Sequence, residues 1–207
     1  LNGTLGYYKQ GLANYPIVPG HEFAGRIVAS GVRVTDLPDG TRVVVEAIQS
    51  CGECPACDMG NWIGCLDRKE LGVIGRDGGY AEYVITPARF VHPLPSSLTL
   101  EQACLCEPTA VVLKGIDRLQ NAWGPADVRH RCVVVGAGLI GQMSARVLLH
   151  RGHDVTVIDH NPHRLEYCTK AGIKTQQDLS DLSAFDVLVE ATGAQKALRA
   201  VLDNSPA

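Results

Sequence analysis

Three groups of residues in this chain have the types and spacing that chemistry needs. The first begins with Arg131-Cys132-Val133-Val134-Val135, a β-branched run that leads straight into Gly136-Ala137-Gly138-Leu139-Ile140-Gly141. A G-x-G-x-x-G turn between a strand and a helix suits a dinucleotide. The first glycine permits the tight turn, the second lets the backbone approach a pyrophosphate, and the third lets the next helix, expected from Leu139 to Arg151, pack close on the strand. The phosphates then meet free N–H groups at that helix's N-terminus, where Leu139 and Ile140 lie. A second strand, Asp154-Val155-Thr156-Val157-Ile158, ends at Asp159. It lies about twenty residues past the turn, where a carboxylate accepts from a ribose 2′-hydroxyl and repels a 2′-phosphate, so NAD is favoured over NADP. Arg164 pulls the other way, since an arginine there can stack on adenine or reach a 2′-phosphate; the acid outweighs it.

The second group is Cys51, Cys54, Cys57 and Cys65, spaced C-x2-C-x2-C-x7-C in a lobe over residues 50–66. Two-residue gaps let a chain wrap one ion, and four thiolates complete a tetrahedral shell suited to zinc. Such a site has no open position, so it braces a loop and does no chemistry. A [4Fe–4S] cluster also takes four cysteines, but the ferredoxin run is spaced differently and ends in Cys-Pro. Cys104, Cys106, Cys132 and Cys168 are scattered through apolar segments and read as small buried hydrophobes. The third group is smaller: His21 and Glu22 near the amino end, and Glu107 before Pro108.

The elements that must position these groups follow from periodicity. Phe23–Ser30, Thr41–Ile48 and Tyr80–Thr86 are rich in Val, Ile, Tyr and Phe, with turns at Gly31, Pro38-Asp39-Gly40 and Asp77-Gly78-Gly79, so the first half is expected to be mostly β. Ser97 or Thr99 can cap a helical segment containing Glu101, and Glu107-Pro108 can open a helix running to about Leu119. Residues 121–130 read as a polar connection. Strands then alternate with helices, with Ile173–Thr175 and Phe185–Glu190 as third and fourth strands and a turn at Thr192-Gly193. The expected order is a β domain over residues 1–120 and an α/β dinucleotide-binding domain over 121–207.

Composition excludes several classes. The 207 residues are 45% hydrophobic with a net charge of −3, which gives no electrostatic case for nucleic acid or an anionic membrane. No apolar run approaches spanning length, and Leu1-Asn2-Gly3-Thr4 resembles no leader, so the expected location is the cytoplasm.

Together, Gly20-His21-Glu22-Phe23-Ala24-Gly25, the four-cysteine lobe, Glu107-Pro108 and the glycine turn resemble the zinc-dependent medium-chain alcohol dehydrogenases, most closely their sorbitol (polyol) and threonine dehydrogenase branch. The resemblance covers nearly the whole chain. It implies a GroES-like catalytic domain followed by a Rossmann domain, truncated at its C-terminal end, with the active site in the cleft between them. It also implies a second, catalytic zinc. His21 matches the family's histidine ligand, Glu22 the neighbouring acid, and Glu107 a further carboxylate at the same metal, with Cys106 competing for that place. Thr4 matches the hydroxyl that relays the substrate proton. The implied activity is oxidation of a secondary hydroxyl of a polyol, sugar or amino-acid alcohol, because a metal-bound alkoxide gives up hydride to NAD far more readily than a neutral alcohol. A homo-oligomer, dimer or tetramer, is implied as well.

Two departures stand out. Asn2 occupies the position of the family's first cysteine ligand, and Leu5 that of the following aspartate. The family's strands before that cysteine and its last Rossmann strands have no counterpart, so a fragment is expected. Asn2 keeps an alternative open: a catalytically silent or zinc-independent relative that retains the fold, the structural zinc and the dinucleotide site.

Overall fold

The computed structural model describes residues 6–123, 128–179 and 182–204, with side chains omitted for 120–123. The chain divides into two compact units, Leu1–Glu107 and Pro108–Ala207. The division falls earlier than 120/121 because the helix that starts at Cys106 sends Val112 and Ile116 into the core of the second unit.

The first unit is built of short strands: β1 (Ala24–Arg26), β2 (Arg42–Val45), β3 (Ile48–Gln49), β4 (Lys69–Leu71), β5 (Gly75–Arg76) and β6 (Val91–Pro93). Short helices α1 (Gly6–Lys9), α2 (Pro55–Asp58) and α3 (Leu100–Ala103) accompany them. β1, β2 and β6 form an antiparallel sheet in that order, and β3, β4 and β5 form a second in which β4 and β5 are parallel. Leu71, Val43, Phe90 and Ala103 fill its interior. Thr99 caps α3 through a capping box with Gln102, which satisfies two helix-end N–H groups reciprocally.

Three strand expectations change, the first being Thr41–Ile48, which divides into β2 and the start of β3 in different sheets. Phe23–Ser30 contracts to β1, and Tyr80–Thr86 forms no strand at all. The β-branched and aromatic composition of Tyr80–Thr86 favours an extended chain, but a strand exists only where a neighbour completes its hydrogen-bond ladder. Among the described residues none does, and Tyr80, Tyr83 and Ile85 stand exposed.

The second unit begins in the long helix α4 (Cys106–Trp123), which runs past Leu119 into the stretch expected to be a polar connection. It continues through β7 (Arg131–Val135), α5 (Leu139–His150), β8 (Asp154–Ile158), α6 (Pro162–Lys170), β9 (Lys174–Gln176), β10 (Val187–Glu190) and α7 (Gln195–Asn204). The sheet is fully parallel in the order β10-β7-β8-β9. β7 is central and covered on both faces: Cys132 and Val134 face one core cluster, Val133 and Val135 the other. That is why its sequence is continuously apolar. Asn161 caps α6 by accepting from the His163 N–H, with Pro162 in the first turn where a missing N–H costs nothing. No helix among the described residues is long and apolar enough to cross a membrane.

Candidate metal and dinucleotide sites

The cysteine lobe folds back on itself because Pro55 opens α2 and Asn61 closes the following turn by accepting from the Gly64 N–H. The sulfurs gather tightly: Cys54 to Cys57 at 3.5 Å, Cys51 to Cys65 at 3.6 Å and Cys51 to Cys57 at 3.9 Å. Four thiolates at about 2.3 Å from one zinc sit about 3.8 Å apart, so the cage already has the size of a zinc shell. Backbone N–H groups support it. Cys51 donates to Cys65 Sγ and Gly52 to Cys57 Sγ, each at 3.4 Å. Burial pushes the Cys57 thiol up, but the Gly52 N–H and the surrounding hydroxyl and thiols outweigh this and bring it down to about 6. Arg89, not singled out by sequence, donates to the carbonyls of Ser50 and Cys51 at 2.9 and 3.1 Å and so fixes the entry to the lobe.

The second cluster joins His21, Glu22 and Glu107, whose ligand atoms all lie within 4.8 Å of one another. Eighty-odd residues of chain separate Glu22 from Glu107, so only folding unites them. The loop that carries His21 is pinned where Gly78 crosses it, since a Cβ at Gly78 would overlap the Gly20 carbonyl oxygen. His21 Nδ1 lies 3.2 Å from the Leu71 carbonyl. With Nδ1 donating there, the Nε2 lone pair is left for a metal. Glu107 is half-buried in the first turn of α4; burial raises its carboxyl, His21 opposes this, and Glu22 and Glu70 raise it further. Two carboxylates and an imidazole converging this way suit a divalent cation, with side-chain rotation closing a shell wider than the final one. Cys106 is exposed and lies outside this cluster, whereas Glu107 lies within it. A cavity of about 310 Å³ opens beside His21 and Glu22, bordered by Phe23, Gly79 and Tyr80. Thr4 and Asn2 lie outside the described residues.

In the second unit, the turn adopts the geometry its glycines permit. Gly136 has φ +106°, a region an L side chain avoids, and a Cβ at Gly141 would overlap the Gly136 carbonyl oxygen. Gly138 is the N-cap of α5 and no side chain caps that helix, so the N–H groups beginning at Leu139 and Ile140 stay open to an anion. Asp159 is buried, against the expectation of a carboxylate presented to a ribose: Oδ2 accepts from the Ala137 N–H at 2.7 Å and Oδ1 from the Asn161 N–H at 2.8 Å. Burial pushes its carboxyl up, but these two backbone bonds, with His160 and Arg164, win and hold it below the usual range. Asp159 therefore ties the glycine turn to the end of β8. Arg164 Nη1 stands 3.8 Å from Oδ2, its side chain half in solvent.

Residues 2–96 match the alcohol dehydrogenase GroES-like domain and residues 132–204 the TrkA-N domain. An uncharacterized zinc-type alcohol dehydrogenase-like protein of Haemophilus influenzae is 30% identical over 204 residues, covering 92% of this chain and 58% of that protein. The chain is thus similar to zinc-type alcohol dehydrogenases, among them L-threonine 3-dehydrogenases and a D-altritol 5-dehydrogenase. An L-threonine 3-dehydrogenase of Rhizobium johnstonii is 35% identical over 202 residues, covering 91% of this chain and 56% of that protein. The crystal structure of galactitol-1-phosphate dehydrogenase from Escherichia coli superposes with a TM-score of 0.78 at 28% identity, covering 95% of this chain and 59% of that one. The chain thus spans between 56% and 59% of the length of these three relatives. Its two units are a GroES-like domain and a Rossmann-type domain.

Proposed function

We propose that this chain carries an NAD-dependent alcohol dehydrogenase activity that oxidises a secondary hydroxyl of a polyol, sugar or amino-acid alcohol. The observation that carries the reading is the convergence of His21, Glu22 and Glu107 from distant parts of the sequence onto one small volume beside a cavity. These three residues would hold the catalytic zinc, and Cys51, Cys54, Cys57 and Cys65 the structural one. Zinc at the first site supplies Lewis acidity, which lets an alcohol lose its proton near neutral pH. His21 presents Nε2 because Leu71 holds its other nitrogen. Glu22 and Glu107 supply the negative charge that makes the place selective for a cation. Thr4, in the proposed role, passes the substrate proton toward solvent.

The glycine turn at Gly136, Gly138 and Gly141 would seat the pyrophosphate on the open end of α5. Asp159 has lone pairs beyond the two engaged by Ala137 and Asn161, and a ribose hydroxyl would reach them once a side chain over the carboxylate, such as Arg164, moves aside. The charge at that position disfavours a 2′-phosphate, which makes NAD the acceptor rather than NADP. Assembly into a dimer or tetramer belongs to the same proposal and is measured by sedimentation.

The test is NADH formation by the zinc-loaded protein with a panel of polyols, sugar alcohols and L-threonine. Two zinc ions per chain, one for each cluster, are expected. His21→Ala should remove one zinc and cost at least about 100-fold in turnover, since even groups that merely orient a metal ligand are worth 10- to 100-fold. Retention of both zinc and turnover in His21→Ala would overturn the reading.

One observation favours a second reading. Asn2 stands where the family places a cysteine ligand, and asparagine is a poor ligand for zinc. A catalytically silent relative would bind one zinc, at the cysteine lobe, and still bind NAD. Metal analysis of the unaltered protein separates the two.

A further inference from the structure

A second cavity of the first unit, of about 470 Å³, lies between residues 12–17 and 74–77 with Lys69 on its wall. It does not share a lining residue with the cavity beside His21. Two cations face it, Lys69 and Arg76. Neither takes part in an ion pair among the described residues, and Arg76 Nε is buried without a hydrogen-bond partner. The wall contains a single acid, Asp77, whose Oδ1 is engaged by the Val18 N–H at 2.8 Å. Two cations against one carboxylate leave the cavity net positive.

The rest of the wall sets the size and character of the occupant. Leu12, Ile17 and Ile74 are apolar, while Asn14 and Tyr15 carry neutral hydrogen-bonding groups. The Tyr15 ring is stacked on Tyr8 with centroids 4.7 Å apart, which holds that side of the cavity in place. A volume of this order suits a small molecule. A guanidinium and an ammonium lining one cavity match the charge of an oxyanion, and a phosphate monoester carries close to two negative charges at neutral pH.

We propose that this cavity binds the phosphate group of a small organic phosphate, with Arg76 and Lys69 holding the oxyanion and Asn14 and Tyr15 meeting the polar part of the carbon body. Binding is measured directly and involves the first unit alone, so it stands whether or not the catalytic proposal does. The experiment is isothermal titration of the zinc-loaded protein with inorganic phosphate and with glycerol 1-phosphate, using glycerol as the uncharged control. Both phosphates should bind and glycerol should not. Arg76→Gln and Lys69→Gln should each weaken phosphate binding by about 10-fold, the scale expected for loss of one charge-assisted contact, with zinc content and circular dichroism unchanged. Should Arg76→Gln fail to fold, the exposed Lys69 decides by itself. Absence of phosphate binding, or binding that the substitutions leave intact because the anion sits elsewhere, overturns the proposal.

Discussion

Asp159 offers a sharp test of how the dinucleotide turn is held. Its carboxylate accepts two backbone N–H groups, from Ala137 at 2.7 Å and Asn161 at 2.8 Å, inside a buried site. In Asp159→Asn the amide oxygen can keep one of these bonds, while its NH2 must face the other N–H donor. A hydrogen bond to a charged group contributes about 1.5–3 kcal/mol, and a buried donor left facing a donor adds desolvation cost, so the substitution should destabilise the second unit by about 2–3 kcal/mol. With a urea slope of about 1–3 kcal/mol/M, the midpoint falls by about 1 M or more. The pH dependence supplies an independent check. Backbone bonding depresses the folded-state carboxyl, so its stabilisation is complete above the unfolded carboxyl's ordinary value and is lost as pH falls through the depressed folded value. The gap between the wild type and Asp159→Asn should therefore be constant near neutrality and shrink below about pH 4. Urea denaturation across pH, followed by circular dichroism, reads both. A substitution that leaves the midpoint within error at pH 7, or a gap that does not narrow in acid, would refute the reasoning.

Further expectations concern other parts of the molecule. Cys65→Ser removes a fully buried sulfur of the four-cysteine cage, so a chain with the proposed structural zinc should lose that ion and its thermal midpoint should fall. Arg89→Ala frees the Ser50 and Cys51 carbonyls, and zinc should leave the lobe faster under chelation while the final zinc content with excess metal stays unchanged. Gly141→Ala drives a Cβ against the Gly136 carbonyl, so affinity for the proposed dinucleotide should fall by at least about 10-fold and stability by about 1–3 kcal/mol, measured by titration and denaturation. Asp186 accepts from the Arg131 side chain and backbone, which holds its carboxyl near 2; carbon NMR should show it titrating there, and a normal titration near 4 would mean the pair does not persist in solution.

Where neighbours in the sequence are also neighbours in space, reading the chain was enough. The cysteine lobe closes within one short stretch, so its spacing already implied a four-sulfur cage, and the strand, glycine turn and helix from Arg131 onward are one contiguous unit whose geometry each glycine announces. Resemblance named His21, Glu22 and Glu107, but nothing local in the sequence brings them together, because their meeting depends on the loop crossing at Gly78 and on where α4 begins. It likewise could not choose between Cys106 and Glu107, adjacent residues that a helix points in different directions. Tyr80–Thr86 has the composition of a strand and is not one, since composition describes a chain's preference whereas a strand needs a partner. Asp159 shows the same division in one residue. Its place at the end of β8 was legible from the pattern, but its burial and its two backbone bonds exist only once the turn has folded over it, and they make it a tie for the glycine turn before any ligand arrives.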